Sequence, residues 1–430
     1  MERDIEPINQ NNLARAVVVG VQLNNAPGFE YAMEELRSLA DACGIETVGE
    51  LTQKAERVSS AHYIGSGKVE ELKALVKELD APTVIFNDEL SPSQIRNLEA
   101  ALERRVIDRT ILILDIFAER AQTKEAQLQV EVAKLQYMLP RLVGLRESLG
   151  RQGGGSGLKN RGAGETKLEL DRRRIEERIS HMQQELERLV ARRQVQRKQR
   201  QKNEIPVVAL VGYTNAGKSS LMNAVLSAYE PESGKQVLAK DMLFATLETA
   251  VRSISLPDRK SFLLADTVGF VSQLPHHLVK AFRSTLEEVS EADLLIHVVD
   301  AANPEHEQHI AVTRETLKDL GADDIPVVYA YNKADLLPDG DFPRIDGDDV
   351  YLSAAGGQGI EELVQMIRDR VFADYIEGEV LIPYDQGRLV AYFNEHADVR
   401  STEYEEEGTR LSLSCKSADY ERYRELFVER

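Results

Sequence analysis

Apolar and polar positions alternate in blocks along the first part of the chain. Short apolar runs predict three strands, at residues 16–21, 83–86 and 111–116. Helical spacing of apolar residues predicts three helices, over residues 30–43, 68–79 and 92–103. Strands that alternate with helices are typical of a mostly parallel sheet. We therefore predict an α/β domain over residues 1–120.

The next segment, residues 121–203, carries a narrower apolar stripe. Two runs advance in alternating steps of four and three, with Arg172 at the one polar position of the second run: Leu128, Val132, Leu135, Leu139 and Leu142, then Leu168, Ile175, Ile179, Met182, Leu186 and Leu189. A stripe that repeats every 3.5 residues is buried only against another helix. Two such runs with a short linker predict an antiparallel helical hairpin.

Beyond the hairpin, apolar strands alternate with helices again over residues 204–373, which predicts a second α/β domain. The sequence pattern over residues 374–430 predicts a small α+β domain. Its elements are strands at 389–392 and 410–414 and a closing helix at 417–428.

Composition limits the class of protein. Hydrophobic residues make up 42% and charged residues 29% of the 430 residues, as in ordinary globular proteins. We find no apolar run of about 20 residues, so we expect no membrane span, and the acidic start argues against a signal peptide. Cys43 and Cys415 are too few for a disulfide framework. We expect a cytoplasmic monomer.

The charge is unevenly distributed. The net charge is −19, yet residues 140–203 hold 17 Lys and Arg against 8 Asp and Glu, whereas residues 374–430 hold 7 against 14. Residues 150–164, between the two helical runs, contain seven glycines and no acid. Glycine permits close approach and basic side chains contact phosphate, which favours RNA over a plain flexible loop, though both interpretations stay open here. The candidate RNA contacts are Arg151, Lys159, Arg161, Arg172, Arg173 and Arg174.

The clearest motif follows a buried-type strand at 207–211. The pattern GxxxxGK[ST] is complete and a helix follows it, which is the context of a phosphate-binding P-loop. Its lysine neutralises the β- and γ-phosphates and its serine hydroxyl ligates Mg²⁺. The predicted phosphate-binding residues are Gly212, Tyr213, Thr214, Asn215, Ala216, Gly217, Lys218, Ser219 and Ser220.

Two later segments supply what a GTPase needs around the metal. Asp266, Thr267, Val268 and Gly269 follow a strand and form a DxxG motif, in which Asp266 holds Mg²⁺ through water. The Gly269 N–H can meet the γ-phosphate. Thr246 is the candidate switch hydroxyl that reaches the metal only when the γ-phosphate is present. Its neighbours Phe244, Ala245, Leu247 and Glu248 complete the predicted segment.

A third pair of motifs selects the base. Asn332, Lys333, Ala334 and Asp335 follow the strand at 327–331, and the Asp335 carboxylate can accept hydrogen bonds from N1–H and the exocyclic amine of guanine. Adenine offers no such pair of donors. The loop of Ser353, Ala354 and Ala355 can donate to O6. Together these motifs predict GTP and GDP as ligands.

The sequence resembles the HflX family of translational GTPases, within the Obg/HflX-like P-loop class. The resemblance is carried by Asp108-Arg109-Thr110, the glycine-rich loop before residues 165–171, the P-loop, and the segments 243–247 and 266–270. It implies GTP hydrolysis with Mg²⁺, at a slow intrinsic rate that the ribosome stimulates. It also implies binding to the large ribosomal subunit and its rRNA through the hairpin, and splitting or rescue of stalled ribosomes under stress.

The catalytic set predicted from the motifs is Lys218, Thr246 and Gly269. Phe270 occupies the position where Ras-like enzymes carry a water-orienting Gln. Gln273, His276 and His277 lie nearby and could contribute. Within the resembled superfamily, an Asn at the position of Asn215 is a K⁺ ligand, so K⁺ is a candidate second cation.

Other functions stay open at this point. Residues 64–68 look like a fragment of a second phosphate loop, although a glycine turn at the start of a helix explains them equally well. The alternatives are an ATP- or GTP-dependent RNA-remodelling enzyme and a nucleotide-gated ribosome adaptor.

Overall fold

The computed structural model describes residues 14–24, 28–152, 161–202, 205–230, 243–244, 249–258, 260–272, 288–338 and 342–428. These residues divide into two compact units. The first takes in the described parts of Met1–Leu189, Asp241–Glu248 and Val271–Arg283. The second takes in those of Val190–Lys240, Thr249–Phe270 and Ser284–Arg430.

The first unit begins with a four-stranded parallel sheet. Its strands are β1 (Ala14–Leu23), β2 (Ile45–Ala55), β3 (Thr83–Phe86) and β4 (Arg105–Asp108), in the spatial order β2-β1-β3-β4. The helices between them are α1 (Phe29–Ala42), α2 (Ser66–Glu78) and α3 (Pro92–Leu102). Val17, Val19 and Leu72 are among the fully buried side chains of the core. The predicted parallel α/β arrangement is confirmed.

One predicted strand is wrong. Residues 111–116 lie in helix α4 (Arg109–Arg120), and the strand is the shorter β4 just before it. A short apolar run that is buried on all sides has no periodicity that separates a strand from a helix. Asp108 decides the outcome locally, because its side chain accepts a hydrogen bond from the Ile111 N–H at 3.1 Å and so caps α4.

Two long helices, α5 (Lys124–Gln152) and α6 (Arg161–Lys202), form the predicted hairpin. Leu128, Val132, Ile179 and Met182 are buried between them. Lys124 pairs with Glu185 and Glu131 with Arg178, so moving forward along α5 means moving backward along α6. The two helices are therefore antiparallel and pack along the apolar stripe.

The second unit contains a seven-stranded sheet in the order β10-β11-β9-β8-β5-β7-β6. Its strands are β5 (Val207–Val211), β6 (Ala250–Ser255), β7 (Ser261–Asp266), β8 (Leu294–Asp300), β9 (Val327–Asn332), β10 (Arg344–Asp346) and β11 (Asp349–Tyr351). The helices whose bounds the structure describes here are α7 (Lys218–Tyr229), α8 (His306–Asp319) and α9 (Ile360–Val371). All neighbouring strands are parallel except at the edges, where β6 and β10 run antiparallel. The carboxyl ends of β5, β7, β8 and β9 thus share one edge, where the motif residues follow.

The same unit ends in a three-stranded antiparallel sheet, ordered β12-β14-β13. Its elements are β12 (Tyr375–Ile382), α10 (Gly387–His396), β13 (Asp398–Tyr404), β14 (Thr409–Lys416) and α11 (Ser417–Arg422). The predicted strand at 389–392 is wrong, because Leu389, Val390 and Phe393 face the core at helical spacing on α10. The closing helix ends early, since Phe427 pairs with Val380 of β12 instead.

None of the helices in the described part of the chain combines the length and the apolar character needed to span a membrane.

Candidate nucleotide-binding site

The loop between β5 and α7 is shaped by two glycines that no other residue could replace. Gly212 has a φ of 140°, and a β-carbon there would lie 2.3 Å from the Val298 carbonyl oxygen. Gly217 has a φ of 94°, and a β-carbon there would lie 2.2 Å from Nδ2 of Asn332. Both positive φ values are ones that L side chains rarely adopt. The loop therefore closes tightly onto β8 and β9, as a phosphate-binding loop requires.

Lys218 lies at the first position of α7 with its side chain folded back under the loop. Its Nζ donates hydrogen bonds to the carbonyl oxygens of Gly212 at 3.0 Å and Tyr213 at 2.8 Å. Burial lowers the pKa of Lys218 to about 8, partly opposed by the charge of Asp266. An anion beside the ammonium would favour its charged form, so the lysine is placed to respond to a phosphate.

Ser219 and Asp266 bring two metal-binding oxygens together. Oγ of Ser219 donates to Oδ2 of Asp266 at 2.6 Å, and Asp266 at the end of β7 is fully buried. A hydroxyl and a carboxylate at this spacing match the hard oxygen ligands that Mg²⁺ prefers, with phosphate and water completing its shell. Next to them, the buried Thr267 hydroxyl donates to the Leu210 carbonyl at 2.6 Å and fixes the motif to β5. The residues present therefore fit Mg²⁺.

The backbone that follows the DxxG motif is bonded to the P-loop. The Thr214 N–H donates to the Phe270 carbonyl at 2.7 Å, and the Phe270 N–H donates to the Gly212 carbonyl at 3.1 Å. A β-carbon on Gly269 would lie 2.7 Å from Cα of Thr214 and 3.0 Å from Nζ of Lys218. The Phe270 ring is buried and cannot hydrogen-bond to water. A water-orienting side chain is therefore missing at this position, as the sequence predicts.

On the base side, Asn332 connects two loops. Its Nδ2 donates to the Ala216 carbonyl at 2.9 Å, and its Oδ1 accepts from the Ala354 N–H at 2.9 Å. Lys333, which has a φ of 62°, donates to Oδ2 of Asp300 at 2.7 Å. Asp335 is exposed in a single 3-10 turn, Ala334–Leu336. A solvent-facing carboxylate beside a rigid loop can pair with the edge of a guanine.

The structure adds contacts that the motifs do not reveal. The Tyr213 ring stacks on the His309 ring of α8, with centroids 3.8 Å apart and planes 6° apart. His297 of β8 is 1% exposed, and burial lowers its pKa to about 3. Neither histidine belongs to a motif, and the only sequence signal for His297 is its place within the continuous apolar run of β8, which is buried from Leu294 to Val299.

Most predicted nucleotide-site residues that the structure describes come together at one edge of the seven-stranded sheet. Ser220 follows on α7, Val268 and Ala334 are buried beside their motifs, and Ser353 and Ala355 lie in the loop after β11. Phe244 is an exception, because it belongs to the first unit. Outside the described residues lie Ala245, Thr246, Leu247, Glu248, Gln273, His276 and His277.

The predicted RNA contacts lie on the hairpin. Arg151 is near the end of α5 and Arg161 begins α6, whereas Lys159 lies outside the described residues. Arg172, Arg173 and Arg174 are exposed on α6.

Residues 64–68 form the start of α2. The Gly65 N–H donates to Oε1 of Gln53 at 3.0 Å, and Lys68 pairs with Glu71 at 2.9 Å. These contacts favour a helix start over a second phosphate loop.

Comparison with known proteins agrees with the site. Three family models match consecutive parts of the chain: "GTP-binding GTPase N-terminal" at residues 30–118, "GTP-binding GTPase Middle Region" at 120–200 and "50S ribosome-binding GTPase" at 207–333. The chain is 45% identical to the GTPase HflX of Caldanaerobacter subterraneus subsp. tengcongensis over 414 residues, which is 96% of this chain and 94% of that protein. The chain belongs to the HflX family of GTPases. The HflX protein of Escherichia coli K12 is 41% identical over 408 residues, 94% of this chain and 93% of its own length.

Among solved structures, the chain is similar to a GTP-binding protein from Sulfolobus solfataricus in complex with GDP. The two are 23% identical, with 83% of this chain and 98% of that chain covered and a TM-score of 0.41. As a member of the HflX family the protein is a GTPase.

Proposed function

We propose that this HflX-family GTPase binds the large ribosomal subunit through its helical hairpin, in a manner gated by GTP. Bound GTP favours attachment and hydrolysis to GDP favours release. Through this cycle the protein splits or rescues stalled ribosomes under stress. It acts in the cytoplasm as a monomer.

The observation that carries the proposal is a basic segment on an antiparallel hairpin within an acidic chain. Residues 140–203 account for a charge of +9 while the whole chain carries −19. Arg172, Arg173 and Arg174 are exposed and consecutive on α6, where successive residues turn by about 100° and so face several directions. Such a surface suits the phosphates of a folded RNA. The matching family model, described as a 50S ribosome-binding GTPase, supports the same partner.

In this proposal the nucleotide lies on the P-loop, with Lys218 at the β- and γ-phosphates and Asp335 at the guanine. Ser219, Thr246 and, through water, Asp266 would hold Mg²⁺. The ion would supply positive charge to the transferring phosphoryl group. Lys218 and the Gly269 N–H then stabilise the charge that develops on its oxygens.

K⁺ is the candidate second cation, and Asn215 is its proposed ligand. Asn215 is exposed and has a φ of 60° within the P-loop. A monovalent cation there would supply charge that an arginine finger supplies in other GTPases. With large subunits present, we expect faster GTP turnover in KCl than in NaCl, and an Asn215→Ala variant that no longer distinguishes the salts. Equal turnover of the wild type in both salts would rule out the K⁺ role.

The test of ribosome binding compares two triple variants. Arg151, Lys159 and Arg161 changed to Gln should prevent sedimentation with large subunits and leave the affinity for GTP unchanged. Each lost phosphate contact should lower the log–log salt slope of binding by roughly 0.7 to 0.9. The charge-matched control changes exposed arginines of the C-terminal sheet region, Arg388, Arg422 and Arg424, to Gln.

Turnover of GTP with and without purified large subunits completes the experiment. Stimulation by subunits, together with dissociation of 70S particles, supports the splitting function. Sedimentation in the GTP state without dissociation would support the adaptor alternative. Sedimentation of the hairpin variant equal to wild type across a salt titration would contradict the hairpin as the RNA-contacting element.

A further inference from the structure

The side chain of Tyr213 joins the P-loop to helix α8. Tyr213 is 4% exposed, and its ring lies flat against the ring of His309, with centroids 3.8 Å apart and planes 6° apart. His309 is 6% exposed and lies near the start of α8. Two buried aromatic rings in contact attract one another by more than the apolar area that they bury accounts for. The stack therefore holds the P-loop at a residue that the motif itself leaves open.

The backbone of Tyr213 helps to fix the ammonium group of Lys218. The Tyr213 carbonyl oxygen accepts a hydrogen bond from Nζ of Lys218 at 2.8 Å, and the Gly212 carbonyl oxygen accepts one at 3.0 Å. Lys218 is buried, so these two carbonyl groups decide where its ammonium lies. A shift of the Tyr213 backbone would therefore move the charge that serves the phosphates.

The peptide groups on either side of Tyr213 are fixed as well. The Gly212 carbonyl accepts from the Phe270 N–H at 3.1 Å, and the Thr214 N–H donates to the Phe270 carbonyl at 2.7 Å. The contact with His309 adds an anchor on the side chain to these two anchors on the backbone.

Helix α8 is anchored in turn beside the guanine motif. It follows β8, whose last residue, Asp300, pairs with Lys333 at 2.7 Å. The Ala301 N–H donates to the Asn332 carbonyl at 2.9 Å. The helix that supports the P-loop tyrosine thus starts from a strand end that is bonded to the base side of the same site.

We infer that His309 is a positioning residue of the nucleotide site: by stacking on Tyr213, it holds the Tyr213 carbonyl where Lys218 can present its ammonium to the β-phosphate. GTP and GDP share the β-phosphate, whereas GMP lacks it. Loss of the stack should therefore weaken the binding of GTP and GDP relative to that of GMP. The inference rests on the proposed nucleotide site, because that proposal places the phosphates at Lys218.

The experiment measures the affinities of the full chain for GDP and GMP by calorimetry, with GMP measured in competition with GDP. His309→Ala removes the ring and should weaken GDP binding by about two- to twelvefold, the factor that corresponds to one aromatic contact. Its GMP affinity should change by less than about twofold. His309→Phe keeps an aromatic ring and should restore the GDP affinity to within about twofold of wild type.

A double-variant cycle tests whether His309 acts through Tyr213. Tyr213→Leu removes the same stack from the other side. In a chain that carries Tyr213→Leu, the further change His309→Ala should therefore cost no additional GDP affinity. Losses that add up in the double variant would overturn the inference.

The matched control is His396→Ala. His396 stacks on Tyr392 within α10, with centroids 4.4 Å apart and planes 14° apart, so the same residue type loses the same kind of contact in a region without motif residues. Both affinities should stay unchanged in this control.

An unchanged GDP-to-GMP affinity ratio in His309→Ala would overturn the inference. An equal loss of both affinities would overturn it as well, since that indicates a general structural role. Wild-type protein that binds GDP no better than GMP would instead contradict the placement of the phosphates at Lys218.

Discussion

The side chain of Asn332 links the phosphate-binding loop, at Ala216, to the loop after β11, at Ala354. It is 2% exposed and satisfies one backbone group on each side, the Ala216 carbonyl and the Ala354 N–H. Asn332→Ala leaves both without a partner. A buried backbone group that loses its partner costs about 1–3 kcal/mol. If GDP binding becomes less favourable by the free energy of one such loss, the GDP affinity falls by roughly five- to 150-fold.

Two measurements separate the local effect from general unfolding. Calorimetry gives the loss of GDP affinity. Amide hydrogen exchange followed by mass spectrometry reports the opening of the loop around Ala354, which should exchange about tenfold faster for each 1.4 kcal/mol lost. Exchange in the core strand β5 should stay as in the wild type, because β5 makes no bond to Asn332 in the described contacts.

Asn394→Ala is the control. Asn394 is exposed on α10, and its Nδ2 donates to the Val390 carbonyl at 2.8 Å. The same change of residue there should shift stability by no more than about 0.5 kcal/mol, as for ordinary surface substitutions. Asn332→Ala with GDP affinity and Ala354 exchange equal to those of the control would refute the reasoning.

Three further predictions concern ionisation and base choice. Burial lowers the pKa of Lys218 to about 8, and a bound phosphate favours the charged form of its amine. GDP binding at pH 8.5 should therefore be accompanied by proton uptake, which calorimetry in buffers of different ionisation enthalpy measures. Burial lowers the pKa of His297 to about 3, so between about pH 6.5 and pH 3 the unfolded chain binds a proton that the folded chain does not. The second unit should therefore lose up to about 1.4 kcal/mol of stability for each unit by which the pH falls in this range, checked by thermal melting. Asp335→Asn should shift preference from guanine to xanthine nucleotides in competition binding.

The parts of the fold that the sequence predicts correctly are those with a strong local pattern. The P-loop context depends on Gly212 and Gly217, whose positive φ values are themselves local requirements. The hairpin depends on a 3.5-residue repeat that only helix pairing can bury, and Leu128 and Ile179 occupy that seam. In both cases a short stretch of sequence contains the whole physical reason.

Failures arise where the deciding partner is distant or the pattern is ambiguous. Residues 111–116 are buried on all sides and so lack periodicity, and β2 at residues 45–55 alternates too weakly to be predicted. The stack of Tyr213 on His309 joins residues about 100 positions apart, and the contact of Arg109 with Ser272 spans 163. No local sequence pattern indicates which distant residues will meet, so these contacts can be seen only in the folded structure.

The assignment of residues 243–244 and 271–272 to the first unit has a consequence for how the enzyme can be dissected. A fragment cut at 204–373 is continuous in sequence but lacks Phe117, against which Phe244 packs with only 2% of its surface exposed. The fragment would expose the Phe244 ring. It would also lack Arg109 and Glu35, which both hydrogen-bond to the Ser272 hydroxyl. Kinetic constants measured on such a fragment would describe the fragment alone, and the smallest piece that reproduces the enzyme has to include the N-terminal sheet.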